Sequence, residues 1–139
     1  MPNMVRRIAT TLVVVLATTG AGLTALIAAE GEADHAEVAR LNNPVPATAK
    51  SVAAGKVLYL QHCQGCHGPD GKGGPAIGYL KPTPNLTEGK WKHGGSDGEI
   101  FDTIKNGVAP DYNMEPWEDR IKDPDIWNLV NFFQSLHRK

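Results

Sequence analysis

The chain has 139 residues, a formal charge of −1 and 41% hydrophobic residues. That length favours one domain with an appendage, and the near-neutral balance excludes the basic footprint of a nucleic-acid binder. Fifteen glycines, ten prolines and only two cysteines predict a loop-rich unit that needs a staple or a large cofactor to hold it together.

Residues 1–7 carry Arg6 and Arg7, and residues 8–29, IATTLVVVLATTGAGLTALIAA, carry no charge. As a helix this run would be about 33 Å long, enough to cross a bilayer core. The positive end stays in the cytosol, so the remainder is expected to be exported, which in a bacterium is the periplasmic side of the inner membrane. A cleaved signal is the rival reading. Its shorter apolar region would be Leu12 to Ala17, with cleavage after Thr19-Gly20-Ala21 or Ile27-Ala28-Ala29, leaving a soluble periplasmic protein. Residues 30–50, EGEADHAEVARLNNPVPATAK, are polar and contain Pro44 and Pro46. They read as a linker, which suits a tethered domain and favours the anchor. The alternative is a short helix over residues 32–41 in a disordered terminus.

Residues 51–139 read as a single globular domain with three helix signatures. The first runs from about Ser51, as N-cap, to His62, with Gly55, Tyr59 and Cys63 on one face. The second opens SDGE, where Ser96 and Glu99 form a capping box. Ile100, Phe101 and Ile104 give it an apolar side, and Gly107 ends it. The third opens DPD, with Asp123 as cap and Pro124 in the first helical position. Ile126, Leu129, Val130 and Phe133 then recur at helical spacing. Between these helices glycine, proline and lysine dominate, and no strand pattern is evident. Three short helices bury little by themselves, so an apolar body is expected among them.

The stretch QHCQGCHGPDGKGG, residues 61–74, holds both cysteines, Cys63 and Cys66, followed at once by His67. A disulfide across two residues would close too small a loop to constrain the unfolded chain much. A thioredoxin-like pair wants a βαβ context, and zinc wants two further ligands at finger spacing; neither is present in the sequence. Covalent haem accounts for every residue. Two thiols at this spacing can form thioethers to the two vinyl groups of one porphyrin, and the adjacent imidazole then lies under the iron. The sixth iron position points to Met114, the single methionine beyond the leader. Its thioether is a soft ligand that favours ferrous iron. His93 reads as a surface residue, His137 as a partner of the helix dipole, and His62 and His35 as solvent-facing.

Residues 51–139 resemble a class I monohaem cytochrome c of bacterial type, anchored or exported by its N-terminus. The order is that of the family: CQGCHG, an NGV turn, a methionine loop and an aromatic C-terminal helix. The resemblance implies an all-α, cytochrome c-like domain wrapped around one covalent haem c. It implies thioethers at Cys63 and Cys66 and axial ligation of the iron by His67 and Met114. It further implies that Gly55 and Tyr59 meet Leu129 and Phe132, and that a proline carbonyl, of Pro75 or Pro82, orients His67. Trp91 is expected near a haem propionate or in rim packing, Trp117 over the haem edge and Trp127 in helix packing. One departure is visible: Glu115 separates Met114 from Pro116, where the family joins methionine directly to proline.

Iron ligated on both faces is closed to substrate, so the expected role is a one-electron carrier cycling Fe(III)/Fe(II). It would be an electron-transfer protein rather than an enzyme, or the haem subunit of a larger oxidoreductase. Its partners would be redox proteins and, through an uncleaved leader, the membrane; no nucleic acid and no small-molecule substrate is expected. The alternative is a gas sensor or peroxidase-like enzyme with a labile sixth ligand. Asp111, Glu115, Glu118, Asp119, Asp123 and Asp125 crowd the methionine loop and third helix. Lys72, Lys81, Lys90 and Lys92 give another side some positive character.

Overall fold

A computed structural model describes residues 36–75 and 82–137; the apolar run of residues 8–29, His35 and Lys81 lie outside them. Helix α1 spans Ala49–His62 and the single turn α2 spans Gln64–His67. A 3-10 turn, Leu86–Glu88, precedes α3 (Asp97–Asn106) and α4 (Asp123–His137). Among the described residues the only β pairing is an isolated antiparallel bridge between Gly74 and Thr83. No described helix is long and apolar enough to cross a membrane.

The start of α1 differs from the sequence reading. Thr48 caps the helix, its Oγ1 accepting from Ser51 N at 3.1 Å. Ser51 is buried inside the first turn instead. Its hydroxyl donates to Asn128 Oδ1 (2.7 Å) and accepts from Asn131 Nδ2 (2.8 Å) on α4. A hydroxyl facing a packed helix needs such partners, which water cannot supply there. The capping box of α3 is as expected: Ser96 N donates to Glu99 Oε2 (2.9 Å) and Glu99 N to Ser96 Oγ (3.3 Å). Gly107, at φ 72°, terminates it. At the head of α4, the Lys122 carbonyl accepts from Asp125 N (2.9 Å) and Ile126 N (3.0 Å). Asp123 therefore lies within the helix, and its carboxylate grips Lys105 Nζ of α3 at 2.9 and 3.0 Å.

The core forms where α1 and α3 pack on α4. Ile126, Leu129 and Val130 of α4 are completely buried. Phe101 of α3 stacks on Trp127 of α4 with ring centroids 4.0 Å apart. Tyr59 of α1 meets Phe132 and Phe133 at 5.3 and 5.8 Å. The crossing of α1 over α4 turns on Gly55. A Cβ there would lie 2.1 Å from the Asn128 carbonyl oxygen and 2.8 Å from Phe132 Cβ. Phe132 is thus the expected neighbour, while the closest is backbone rather than the Leu129 side chain.

The segment before α1, read as linker, is seated on the domain from Val38 onward. Asn43 Nδ2 donates to Trp127 O and Asn131 Oδ1, both at 3.0 Å. Asn131 Nδ2 donates back to Val45 O at 2.9 Å. Further upstream, the Val38 carbonyl lies flat on α3, only 1.9 Å from where a Cβ of Gly98 would be.

Replacing Gly55 by Ala should lower unfolding free energy by about 1–3 kcal/mol, because backbone and not a flexible side chain must yield. The exposed Gly95, whose nearest neighbour to an added Cβ is 3.8 Å away, should tolerate Ala within about 0.5 kcal/mol. Denaturant titration of the two variants measures the contrast.

Candidate functional site

The CQGCH motif is a continuation of α1. Cys63 closes that helix, its N–H donating to Tyr59 O at 2.8 Å. Its own carbonyl then accepts from Cys66 N (3.2 Å) and His67 N (3.0 Å), which makes α2. Cys63 and Cys66 are three apart in a helical turn and so share a face.

Four later carbonyls of this stretch are taken. Gln64 O accepts from Gly68 N at 2.9 Å and His67 O from Gly73 N at 3.1 Å. Cys66 O accepts from Thr83 Oγ1 at 2.6 Å. Gly68 O accepts from the Tyr59 hydroxyl, which rises from the core one turn below. Thr83 also ties down the following loop: its N–H donates to Gly74 O (3.1 Å), and its Oγ1 accepts from Gly74 N (2.8 Å). Gly73, at φ 91°, lies so close to Thr83 that a Cβ would be 2.3 Å from its carbonyl oxygen. A backbone with its polar groups paired in this way is fixed in place.

The side chains on that backbone suit covalent haem. Both cysteines are free thiols, Cys63 half-buried and Cys66 exposed, so the disulfide reading does not apply. Burial, and secondly the neighbouring Cys66, push the Cys63 thiol up to about 11, so it is protonated at neutral pH. Zinc would need a thiolate and more donors. Among the described residues no group of three or more His, Cys, Asp or Glu side chains could hold a metal ion. Burial holds the His67 imidazole below its usual value, so it is neutral at pH 7, the form that ligates iron. Its Nδ1 is buried with no hydrogen-bond partner. The expected proline carbonyl is not there: Pro75 and Pro82 are exposed. The Gly74–Thr83 bridge between them is turned onto the Cys66 carbonyl instead.

Met114 is half-buried and packs on the same core as Cys63, Trp91 and Trp117. Its carbonyl accepts from Val108 N at 2.9 Å. Gly107 makes room for this pass; a Cβ there would be 2.6 Å from Met114 O and 2.8 Å from Pro116 N. The loop closes at Trp117, whose N–H is shared by Ile104 O (3.2 Å) and Lys105 O (3.1 Å) at the end of α3.

The remaining candidates sort clearly. His62 is exposed, as expected, but its ring is 5.7 Å from Trp117. His93 is exposed. His137 Nε2 lies 3.1 Å from Gln134 Oε1. Trp127 is buried in the helix interface. Trp91 is edge-on to Phe133 and His137, at 6.2 and 5.6 Å, with its indole Nε1 buried and unpartnered. Of the six acidic residues, Asp123 is held by Lys105 and Glu115 by Arg120. Lys72 pairs with Asp70 at 3.4 Å. Sequence reasoning missed Thr83, the role of the Tyr59 hydroxyl, and the Asn43–Asn131 pair. Asn131 did leave a trace, as an amide set in the apolar stripe of α4.

Comparison with known proteins places the chain in a family. Residues 50–133 match the family model described as cytochrome C oxidase, cbb3-type, subunit III. The chain is 34% identical over 117 residues to the cbb3-type cytochrome c oxidase subunit CcoP of Rubrivivax gelatinosus, covering 78% of this chain and 36% of that one. It is 34% identical over 84 residues to the FixP subunit of Bradyrhizobium sp. (strain ORS 278), covering 60% of this chain and 27% of that one. The chain therefore spans about a third of the length of these relatives. Among solved structures, cytochrome cL of Methylophaga aminisulfidivorans superposes with a TM-score of 0.53 at 23% identity, over 70% of this chain and 58% of that one. A chain of the Kuenenia stuttgartiensis reducing HAO-like protein complex superposes at 0.57, also at 23% identity, over 70% and 50%. The chain belongs to the cbb3-type oxidase subunit III family, as a c-type cytochrome domain with an all-α fold.

Tyr59 supplies a test of the clasp. Burial, then the charges of Cys63 and Asp70, raise its phenol from 10.0 to about 12. Above pH 10 the unfolded state loses this proton first, so stability should fall as pH rises from 10 towards about 12. Tyr59→Phe should flatten that fall and cost about 1 kcal/mol at neutral pH, where the Gly68 carbonyl loses its partner. Denaturant titrations of both proteins across this pH range report the two effects.

Proposed function

We propose that this chain is a one-electron carrier domain exposed to the periplasm, holding one haem c. Cys63 and Cys66 would carry the thioethers, and His67 and Met114 would ligate the iron on its two faces. The observation that carries the reading is the CQGCH turn itself: a half-buried imidazole whose buried Nδ1 has no partner, beside two free thiols on one face of a locked backbone. A count of one follows from the two cysteines of the chain. When bound, the haem supplies an iron that cycles between Fe(III) and Fe(II).

The chain's own part is to bind, orient and insulate. The α2 turn presents both thiols on one side. Thr83, Gly73 and Tyr59 hold the carbonyls of that turn, so the imidazole stays in place when charge changes. The methionine loop would offer the Met114 thioether as a soft second donor to the iron, and with both donors bound a substrate would find no free position. These residues would hold the group while one electron is taken from a reduced donor and passed to an oxidised acceptor, making no bond and transferring no proton themselves.

Named relatives are subunits of cbb3-type cytochrome c oxidases. This supports a chain that feeds, or forms part of, a membrane-bound terminal oxidase. The uncharged residues 8–29 and the preceding arginines support an anchor in the inner membrane. Glu115, which prompted the sensor or peroxidase alternative, is engaged by Arg120.

Four measurements on the exported full chain test this, two of them on variants. The alkaline-pyridine spectrum should be that of a doubly linked haem, and the ferrous protein should bind carbon monoxide slowly and incompletely at neutral pH. Cys63→Ala should leave a single thioether and poor haem retention. Met114→Ala should abolish the weak long-wavelength band of sulfur-bound ferric iron and lower the potential by on the order of 0.1 V, within the range axial ligands command. Rapid, complete carbon monoxide binding by the unmodified protein would contradict the carrier reading.

A further inference from the structure

The residue that departs from the family pattern sits at the centre of a connected group. The Glu115 carboxylate makes a two-pronged pair with Arg120, Nη1 to Oε1 at 3.1 Å and Nη2 to Oε2 at 3.1 Å. This fork geometry is the most directional form of ion pair. Arg120 Nη2 also donates to the Pro116 carbonyl at 3.0 Å. The guanidinium carbon lies 4.0 Å from the centre of the Trp117 ring, a cation–π contact. Trp117 faces His62 with ring centroids 5.7 Å apart. His62 is the last residue of α1, immediately before Cys63. A continuous chain of contacts thus runs from the residue beside Met114 to the residue beside Cys63.

The methionine loop has two kinds of attachment. Backbone bonds hold it to α3, through Val108 N to Met114 O and Trp117 N to the last turn. Between those bonds, residues 115 and 116 are exposed. There the Arg120 bonds to Glu115 and Pro116 close the loop onto the aromatic ring that follows it.

We propose that Glu115 is a positioning residue for the Met114 sulfur. Through Arg120 it clamps the methionine loop onto Trp117 and His62, and so limits how often the loop opens. This rests on Met114 being the sixth ligand. An external ligand then competes only with the open form, so its apparent affinity scales with the open fraction. The extra residue between methionine and proline lengthens the loop, and its carboxylate supplies the tie that offsets the length.

The test uses the haem-loaded full chain and imidazole as the competing ligand, at mildly alkaline pH where free imidazole is neutral. Wild type should show the long-wavelength sulfur band in the ferric state. Glu115→Gln and Arg120→Gln should each keep that band and bind imidazole about two- to fivefold more tightly at low salt, the range of a well-formed surface pair. The double variant, Glu115→Gln with Arg120→Gln, should bind imidazole no more tightly than Arg120→Gln alone, because Glu115 acts through Arg120. High salt should raise the wild-type affinity towards that of Glu115→Gln, because screening weakens an exposed pair. Equal imidazole affinity in wild type and Glu115→Gln at low salt overturns the clamp while leaving Met114 as ligand. A double variant whose gain is the product of the two single gains also overturns it. A wild-type spectrum without the sulfur band overturns both the ligand assignment and the clamp.

Discussion

The structure depends on how closely α1 can approach α4 at Gly55. With no Cβ at that position, the Asn128 carbonyl fills the space. A glycine inside a helix costs about 1 kcal/mol in intrinsic propensity, and here the cost is offset by backbone-to-helix contact. The approach fixes the rotation of α1 about its axis. It brings Ser51 to Asn128 and Asn131, and it places Tyr59 between Phe132 and Phe133 with its hydroxyl directed at Gly68. Four residues beyond Tyr59 the helix delivers Cys63 at the edge of the same core. The position of the CQGCH turn is therefore set eight residues upstream, at a glycine.

From that crossing the two halves of the site are built by different means. The histidine side is held by hydrogen bonds to backbone carbonyls: Thr83 to Cys66, Gly73 to His67, Tyr59 to Gly68. A site held by paired backbone groups on packed elements keeps its geometry. A one-electron carrier benefits from this, since reorganisation on charge transfer slows exchange. Burial contributes as well, because it keeps the His67 imidazole neutral and available as a donor.

The elements with regular periods were legible in the sequence. α3 and α4 follow from apolar spacing, and the SDGE box is a local pattern whose two hydrogen bonds occur as expected. The CQGCH motif was legible because its chemistry lies in consecutive residues. What escaped notice joins distant residues through single polar atoms. Thr83 reaches Cys66 across seventeen positions by one hydroxyl, and nothing in KPTPN signals it. Residues 43–48 looked like linker because they are polar and proline-containing. They are attached by amide-to-carbonyl bonds to α4, which have no sequence period. Ser51 and Asp123 were assigned to caps because their residue types suit caps. Tertiary partners, Asn128 with Asn131 and Lys105, took them instead.

The methionine segment, the second half of the proposed site, is the adjustable one. Two ion pairs bracket it, Glu115 with Arg120 inside the segment and Lys105 with Asp123 between α3 and the start of α4. Side chains of Glu115, Arg120 and Asp123 are each about half exposed, at 60, 46 and 53%. Such pairs are weakened by salt, whereas the bonds to backbone carbonyls around His67 join neutral groups and are screened far less. The same pairing also changes how the acidic patch presents itself to a partner protein. Glu115 and Asp123 have their charge offset locally, so long-range attraction would come from the other carboxylates of this region. A basic partner docking there would have reason to approach Glu118, Asp119 and Asp125. If it instead drew Glu115 away from Arg120, it would act on the sulfur side of the site and leave the histidine side unchanged. Partner contact and ligand strength would then be coupled through one exposed carboxylate.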